Sequence, residues 1–290
     1  MANSSFPVSQ LVKRSLAVDH RTRCLLFRPR NADPQRPPLV CVHGISRDAR
    51  GHLAAFTEWA ERTGTELLAP LFDHRRYRGY QRLKSSNRTL HPVAAMDAML
   101  DETVGDRPCV MYGFSGGAQF AHRYALVRPE RVAGMALAAA GWYTFPTATA
   151  SFPYGLARGR LPASLEIDFQ AFLRLPKCVL VGDRDVERDR SLRSSRLLDR
   201  EQGDNRLARA MAWVAAMDRA AAHAAQAPAC ELVVVPGVGH DWEECYAQGR
   251  MHEHVARFCE DICAAKQAYD PPAGAARATT PPPLVEDSWR

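Results

Sequence analysis

Short apolar, β-branched runs recur along the chain, and helix-patterned stretches separate most of them. Arg23 to Phe27, Leu39 to Val42, Thr65 to Ala69, Cys109 to Tyr112, Val132 to Ala139, Lys177 to Val181 and Glu231 to Val235 read as strands. Helical patterning marks 54 to 64, stopped by Gly64, then Pro92 to Val104, 116 to 128, 205 to 225 and 243 to 266. This alternation predicts an α/β fold with a mostly parallel central sheet and helices on both faces. In such a sheet, functional groups gather where strands end and loops begin, along one edge.

Two stretches break the alternation. Trp142 to Pro176 carries WYTFP, SFPYG and DFQAFLRLP, whose aromatics and prolines fit neither a regular helix nor a strand. We read it as a cap-like insertion over the site. Pro271 to Arg290 holds five prolines and little apolar patterning, the composition of a disordered tail. The expected organisation is therefore an N-terminal extension over 1–22, one α/β domain over 23–268 with its insertion at 142–176, and a Pro-rich tail over 269–290.

At 290 residues and 46% hydrophobic, the chain can bury one large core. No stretch approaches the roughly 20 uncharged apolar residues of a membrane helix. The first twenty residues show neither an apolar stretch nor a small-residue cleavage site, so a cytoplasmic setting is expected. The eight cysteines point the same way. Cys24, Cys41, Cys109, Cys178 and Cys230 lie in or beside predicted strands, where a thiol acts as a small buried apolar group. Cys259 and Cys263 share a helix face, but no second pair completes a zinc site. The net charge of +6 comes from arginines interleaved with acids, as in ERDRSLRSSRLLDRE, the pattern of a solvated surface. No aromatic stacking motif accompanies them, so no nucleic-acid partner is expected.

The candidate chemistry starts at CVMYGFSGG, where a strand runs into Gly113-Phe114-Ser115-Gly116-Gly117 and then a helix. Gly-x-Ser-x-Gly in that setting holds a serine on a strained turn with its hydroxyl pushed out of the sheet; a helix-capping serine is the plainer alternative. A serine hydroxyl is a poor nucleophile without a base, and the base needs an acid to hold it. VLVGDRDVERD places Asp183 and Asp185 after one downstream strand, and VVVPGVGHDW places His240 after another. Nucleophile, acid, base is the chain order of one serine-hydrolase fold among several.

On VCVHGIS, YGFSGGAQFAHRYALVRPERVAG, VGDRDVERD and PGVGHDW, the chain resembles the α/β-hydrolase superfamily over residues 23 to 265. Within it, the resemblance runs to bacterial esterases related to polyhydroxyalkanoate depolymerases and dienelactone-type hydrolases. The resemblance implies the α/β-hydrolase fold and a triad of Ser115, Asp185 and His240. It favours Asp185 over Asp183 and Asp189, because the family's acid sits two or three residues past the glycine that ends the strand, here Gly182. It also implies an oxyanion hole from the backbone N–H groups of Gly116 and Ile45, and a loop-shaping role for His43. The implied reaction is ester hydrolysis through an acyl-enzyme, possible on hydroxyalkanoate or polyester-type substrates. It needs no metal or organic cofactor.

Substrate contacts are read more loosely. Trp142, Tyr143 and Trp242 are candidates for an apolar wall, with core packing as the alternative. Arg75, Arg76 and Tyr77, in FDHRRYRGYQRL, are candidates for lining the entrance and greeting an anionic acyl or alcohol group, against a solvated loop. In QGDNR, Asn205 reads as a helix N-cap in preference to a substrate contact. The expected partner is a small-molecule ester, with no membrane or nucleic acid, and self-association is left open. A thioesterase or amidase-like hydrolase, and a non-catalytic binding relative, are the competing readings.

Overall fold

The computed structural model describes residues 9–84, 90–159 and 161–269. The described strands form one sheet: β1 (Gln10–Ser15), β2 (Arg23–Arg28), β3 (Leu39–Val42), β4 (Leu67–Pro70), β5 (Cys109–Phe114), β6 (Val132–Ala138), β7 (Lys177–Gly182) and β8 (Cys230–Val235). Their order is β1-β2-β4-β3-β5-β6-β7-β8. β2 pairs antiparallel with β1 and β4, and every pairing from β4 through β8 is parallel. The fold is thus the mostly parallel α/β sheet that the alternation predicts.

Both faces are covered, and the two-residue period of the strands divides the core accordingly. Val40, Val42 and Met111 point to one face, where they meet Met96 and Met99 of α3 (Pro92–Thr103), Phe120 and Tyr124 of α4 (Gly116–Val127) and Trp213 of α7 (Arg206–His223). Leu39, Cys41, Val110 and Tyr112 point to the other. There they pack on Leu53 of α1 (Ala49–Ala54), Trp59 of α2 (Thr57–Thr63) and Val255 and Phe258 of α9 (Met251–Tyr269). Among the described residues, no helix is long and apolar enough to cross a membrane.

Four elements depart from the sequence reading. The strand β1 lies inside the segment read as an N-terminal extension; all six of its residues are exposed, so an edge strand of this kind carries no burial pattern to read. The helix expected over 54 to 64 is α2, beginning later at Thr57, and α1 precedes it over a stretch not read as helix, with Ala55 and Phe56 between them. The helix expected over 243 to 266 divides into α8 (Trp242–Ala247) and α9, and Arg250 takes φ 48° at the break. The 142–176 insertion holds α5 (Phe169–Arg174) and sends Phe152, Leu161, Leu165 and Phe172 into the core of the α7 face. The Pro-rich tail lies outside the described residues.

Candidate active site

Ser115 stands between β5 and α4 with φ 53° and ψ −112°, a conformation that ordinary residues avoid. Its backbone is held on both sides: its N–H donates to the Ala138 carbonyl (2.8 Å), and its own carbonyl accepts from the Gln119 N–H (3.2 Å). The two flanking glycines are required by space. A Cβ on Gly113 would run into the backbone of Gly117 and Ala118, and one on Gly117 into the Val42 carbonyl. The serine is therefore forced out at the sheet edge, and its side chain is not used to cap the helix.

The acid and the histidine arrive on the loops after β7 and β8. Asp185 N–H donates to the Gly182 carbonyl (3.2 Å), turning the chain immediately after the strand. The neighbouring loop is fastened to this one. Asp183 N–H donates to the Val235 carbonyl, and the Asp183 carboxylate accepts from the Gly237 N–H at 2.7 Å. Asp183 is thus an exposed tie between the loops, while Asp185 is buried. His240 follows, held by the Gly239 N–H to Glu244 carboxylate bond (2.9 Å) and by Asp241, which caps α8.

These placements bring the three side chains into a line. His240 Nδ1 lies 2.9 Å from Asp185 Oδ2, and His240 Nε2 lies 3.1 Å from Ser115 Oγ. With the ring proton on Nδ1 donating to the carboxylate, Nε2 is free to accept from the serine hydroxyl. The Phe114 ring stacks on the imidazole (centroids 5.3 Å apart, 21° between planes) and fixes its plane from below.

Beside the hydroxyl, Gly44 lies against Ser115, and Ile45 lies against Gly116. Among the described residues, neither the Ile45 N–H nor the Gly116 N–H has an acceptor. Gly116 also opens α4, so its N–H carries the partial positive charge of a helix start. The loop is braced by Tyr80, whose hydroxyl donates to the His43 carbonyl (2.7 Å). His43 itself accepts from the Phe72 N–H through Nε2 (3.2 Å) and donates from Nδ1 to the Gly44 carbonyl (2.8 Å). Burial pulls its pKa down to about 4, so it stays neutral and shapes the loop.

Three residues escaped the sequence reading or were undervalued by it. Phe114 occupies a variable position of the Gly-x-Ser-x-Gly pattern, and Tyr80 carried no signal. Arg206 was passed over in favour of its neighbour: Asn205 does cap α7, accepting from the Ala208 N–H at 2.8 Å. Arg206, almost wholly buried, reaches Asp185 Oδ1 through Nη1 (3.3 Å) and Asp189 through Nη1 and Nη2 (2.9 and 3.2 Å). The carboxylate of Asp185 is thus shared between the imidazole and a buried guanidinium. Burial pushes Asp189 up, and the hydrogen bonds from Arg206 and Ser191 outweigh it, leaving Asp189 well below the usual carboxylate range.

Of the expected substrate contacts, Tyr143 and Arg76 need correction, since both side chains turn elsewhere. Tyr143 faces the core, its ring stacked on Trp213 at 4.8 Å and its backbone clamped by the Gln202 amide (3.0 and 2.8 Å). Arg76 is turned to the β1–β2 hairpin, where it pairs with Asp19 and donates to Thr22 (3.2 Å). Trp242 packs on His52 (4.0 Å between centroids) and against Phe114, one ring away from His240. Trp142 is buried between the Arg123 guanidinium (4.0 Å from the ring centre) and the Tyr154 ring (4.7 Å).

Comparisons with known proteins agree with this architecture. Among solved structures, the chain is similar to poly(aspartic acid) hydrolase-1 from Sphingomonas sp. KT-1, with a TM-score of 0.71 and 21% identity over 88% of this chain and 99% of that one. It is similar to the poly(3-hydroxybutyrate) depolymerase LpqC of Bordetella parapertussis, with a TM-score of 0.68 and 25% identity over 87% and 90% of the two chains. A ferulic acid esterase aligns with a TM-score of 0.56 and 18% identity, over 88% of this chain and 98% of that one. No curated protein sequence matches. The profile of one family covers residues 39–257, from β3 into the first turns of α9, and so spans the serine turn and both downstream loops. The chain belongs to the alpha/beta hydrolase family.

Proposed function

We propose that this chain is a serine hydrolase that cleaves carboxylic esters through an acyl-enzyme, with Ser115 as nucleophile, His240 as base and Asp185 as the acid that holds it. The observation that carries the reading is the unbroken relay from Asp185 to His240 to Ser115, at 2.9 and 3.1 Å, on a strained turn beside two unpartnered amides.

In the proposed cycle, His240 Nε2 takes the proton of Ser115 Oγ as the oxygen attacks the ester carbonyl. The carbonyl oxygen becomes an oxyanion and accepts from the Ile45 and Gly116 N–H groups, which have no other acceptor to give up. One such donor is worth about 3 to 4 kcal/mol of barrier in enzymes of this kind. Asp185 holds the tautomer and steadies the imidazolium. His240 then passes the proton to the leaving alcohol, and water repeats the sequence to release the acid and free Ser115.

A fluorophosphonate probe tests this directly. Mass spectrometry is expected to find the label on Ser115 and to find none in Ser115→Ala. Folded protein that resists labelling, and leaves p-nitrophenyl esters of every chain length intact, would reject the reading. An acyl-CoA assayed in parallel separates ester from thioester cleavage.

A further inference from the structure

Arginines gather beside the oxyanion amides without the acids that accompany them elsewhere. An open cavity of about 610 Å³ is lined by Ile45, Arg47, His74, Arg75, Arg78 and Gln81. Ile45 thus borders both this cavity and Gly116. Among the described residues, no carboxylate lines it. Asp73, the nearest acid in sequence, spends Oδ1 on the Arg75 and Arg76 N–H groups (3.0 and 2.9 Å), closing its own turn. Among the described residues, Arg47, Arg75 and Arg78 have no carboxylate within ion-pair distance. Arg47 instead donates to the carbonyls of Phe72 and Tyr77 and lies 4.6 Å over the Tyr80 ring, and its buried Nε has no partner.

Behind Gln81, outside the lining of this cavity, stands a further arginine. Arg123 is completely buried, donates through Nη1 to the Gln81 carbonyl and through Nε to the Thr144 hydroxyl (3.1 Å), and lies against Trp142. Its Nη2 has no partner, and neither has the buried Nε of Arg82. Burial, reinforced by the charges of Arg82 and Arg193, drives the Arg123 pKa well down. The same chain matches other inward-facing arginines with acids: Arg128 with Asp97, Arg131 with Asp101, and Arg209 with Asp199. Guanidinium groups gathered without counter-ions raise the local positive potential, which an anion entering the cavity would relieve.

We propose that this cavity is an anion-binding subsite of the active centre, and that the substrate is an ester carrying carboxylate groups near the scissile bond. The inference rests on the serine-hydrolase reading and adds the substrate's charge to it. A guanidinium fork matches a carboxylate with two parallel hydrogen bonds, and Arg75 and Arg78 are exposed and free to turn toward one. The volume suits a small substrate or one unit of a polymer.

Two matched pairs of esters test the inference, with the carboxylate on the acyl side in one and the alcohol side in the other. They are mono-p-nitrophenyl glutarate against its methyl-capped form, and 4-acetoxybenzoate against its methyl ester. At low ionic strength, at least one carboxylated ester is expected to exceed its neutral partner in kcat/KM by tenfold or more, and 0.5 M NaCl is expected to erase most of that ratio. In Arg75→Gln/Arg78→Gln the ratio should collapse toward one. In Arg219→Gln, which removes a charge from the exposed face of α7, it should persist. Neutral esters favoured in both pairs, or a ratio indifferent to salt and to the double variant, would overturn the proposal while leaving the triad standing. Loss of all ester turnover together with absent phosphonate labelling would instead overturn the hydrolase reading beneath it.

Discussion

Replacing Asp185 by Asn removes one charge and changes one atom, and Arg206 decides how damaging that is. In the native site, Oδ2 accepts from His240 Nδ1 at 2.9 Å and Oδ1 accepts from Arg206 Nη1 at 3.3 Å. A carboxamide has one accepting end and one donating end. If its oxygen faces His240, its NH₂ group opposes the Arg206 N–H, and two donors meet in a buried site, at a cost of about 1 to 3 kcal/mol. If its oxygen faces Arg206, the NH₂ group donates to Nδ1. The imidazole must then carry its proton on Nε2, where it cannot accept from Ser115. The guanidinium therefore drives the site into the wrong tautomer. We expect Asp185→Asn to lower kcat by about 10⁴-fold, or about 5.5 kcal/mol, the scale seen when a triad acid is neutralised. In an Arg206→Met background the amide is free to turn its oxygen to His240, and the same substitution should cost only about 10²- to 10³-fold. The cycle thus predicts a coupling of roughly 1.4 to 3 kcal/mol between the two positions. Asp183→Asn keeps an oxygen for the Gly237 N–H on an exposed side chain and should stay within about threefold of the parent. The assay is steady-state hydrolysis of a p-nitrophenyl ester by all five proteins, with near-UV circular dichroism confirming the fold. An Asp185→Asn penalty identical in both backgrounds would refute the tautomer argument, and a larger loss from Asp183→Asn would refute the choice of acid.

Three further outcomes follow from the same coordinates. Ser115→Ala should lower kcat by at least about 10⁴-fold with an unchanged melting profile, since the side chain takes no part in capping α4; substantial turnover by the folded variant would contradict the nucleophile assignment. Gly117→Ala should cost about 3 kcal/mol or more in stability or prevent soluble expression, because its Cβ would meet the Val42 carbonyl in rigid backbone; urea titration measures it, and a neutral result would show the serine turn is looser than its geometry. Alkali should unfold the protein early. Burial pushes Cys24, Cys109, Cys178 and Cys245 from 9.0 up to about 12. Below pH 9 the thiols are protonated in both states and stability is unaffected. Between pH 9 and 12 the unfolded thiols ionise first, so the native state holds more protons and loses about 1.4 kcal/mol per thiol per pH unit. The unfolded thiols are half ionised at pH 9, so four of them make that about 4 kcal/mol between pH 9 and 10, and urea midpoints equal at pH 8 and 10 would refute the sign.

The legible parts of this molecule were those in which one local pattern fixes the answer. All seven expected strands are present, and β3 to β7 are the clearest, because a strand buried on both faces must be apolar along nearly its whole length. The serine turn was readable because Gly113 and Gly117 have no steric alternative there. β1 was not, since a solvated edge strand is stabilised by pairing alone, and its partner β2 is eight residues away in a pattern that says nothing of register. Arg206 illustrates a different limit. Its identity was in plain view next to a correctly read N-cap, but only folding brings the first turn of α7 against the loop after β7. Tyr143 and Arg76 failed for the same reason in reverse. Residue type suggested a pocket aromatic and an entrance cation, yet the side chains turn to Trp213 and Asp19.

That asymmetry bears on how the site works. The three residues legible in sequence, Ser115, Asp185 and His240, carry the chemistry of the proposed relay, and each follows a strand and lies within three residues of a glycine. The residues that hold them, Phe114 beneath the imidazole, Tyr80 on the His43 carbonyl and Arg206 on the acid, act through shape and a single hydrogen bond or ring contact. Such support can be rendered by many side chains approaching from many elements, and no spacing rule in the chain marks it. Specificity belongs to this second group. If the arginines beside Ile45 select the substrate, exchanging them should redirect the enzyme among esters without disturbing the relay, because Arg75 and Arg78 touch the cavity and none of the three relay residues lines it. A charge-reversed pair, Arg75→Glu/Arg78→Glu, should then disfavour carboxylated esters relative to their neutral partners by more than the Gln pair does. Equal ratios from the two variants would show that contact geometry, and not charge, governs that cavity.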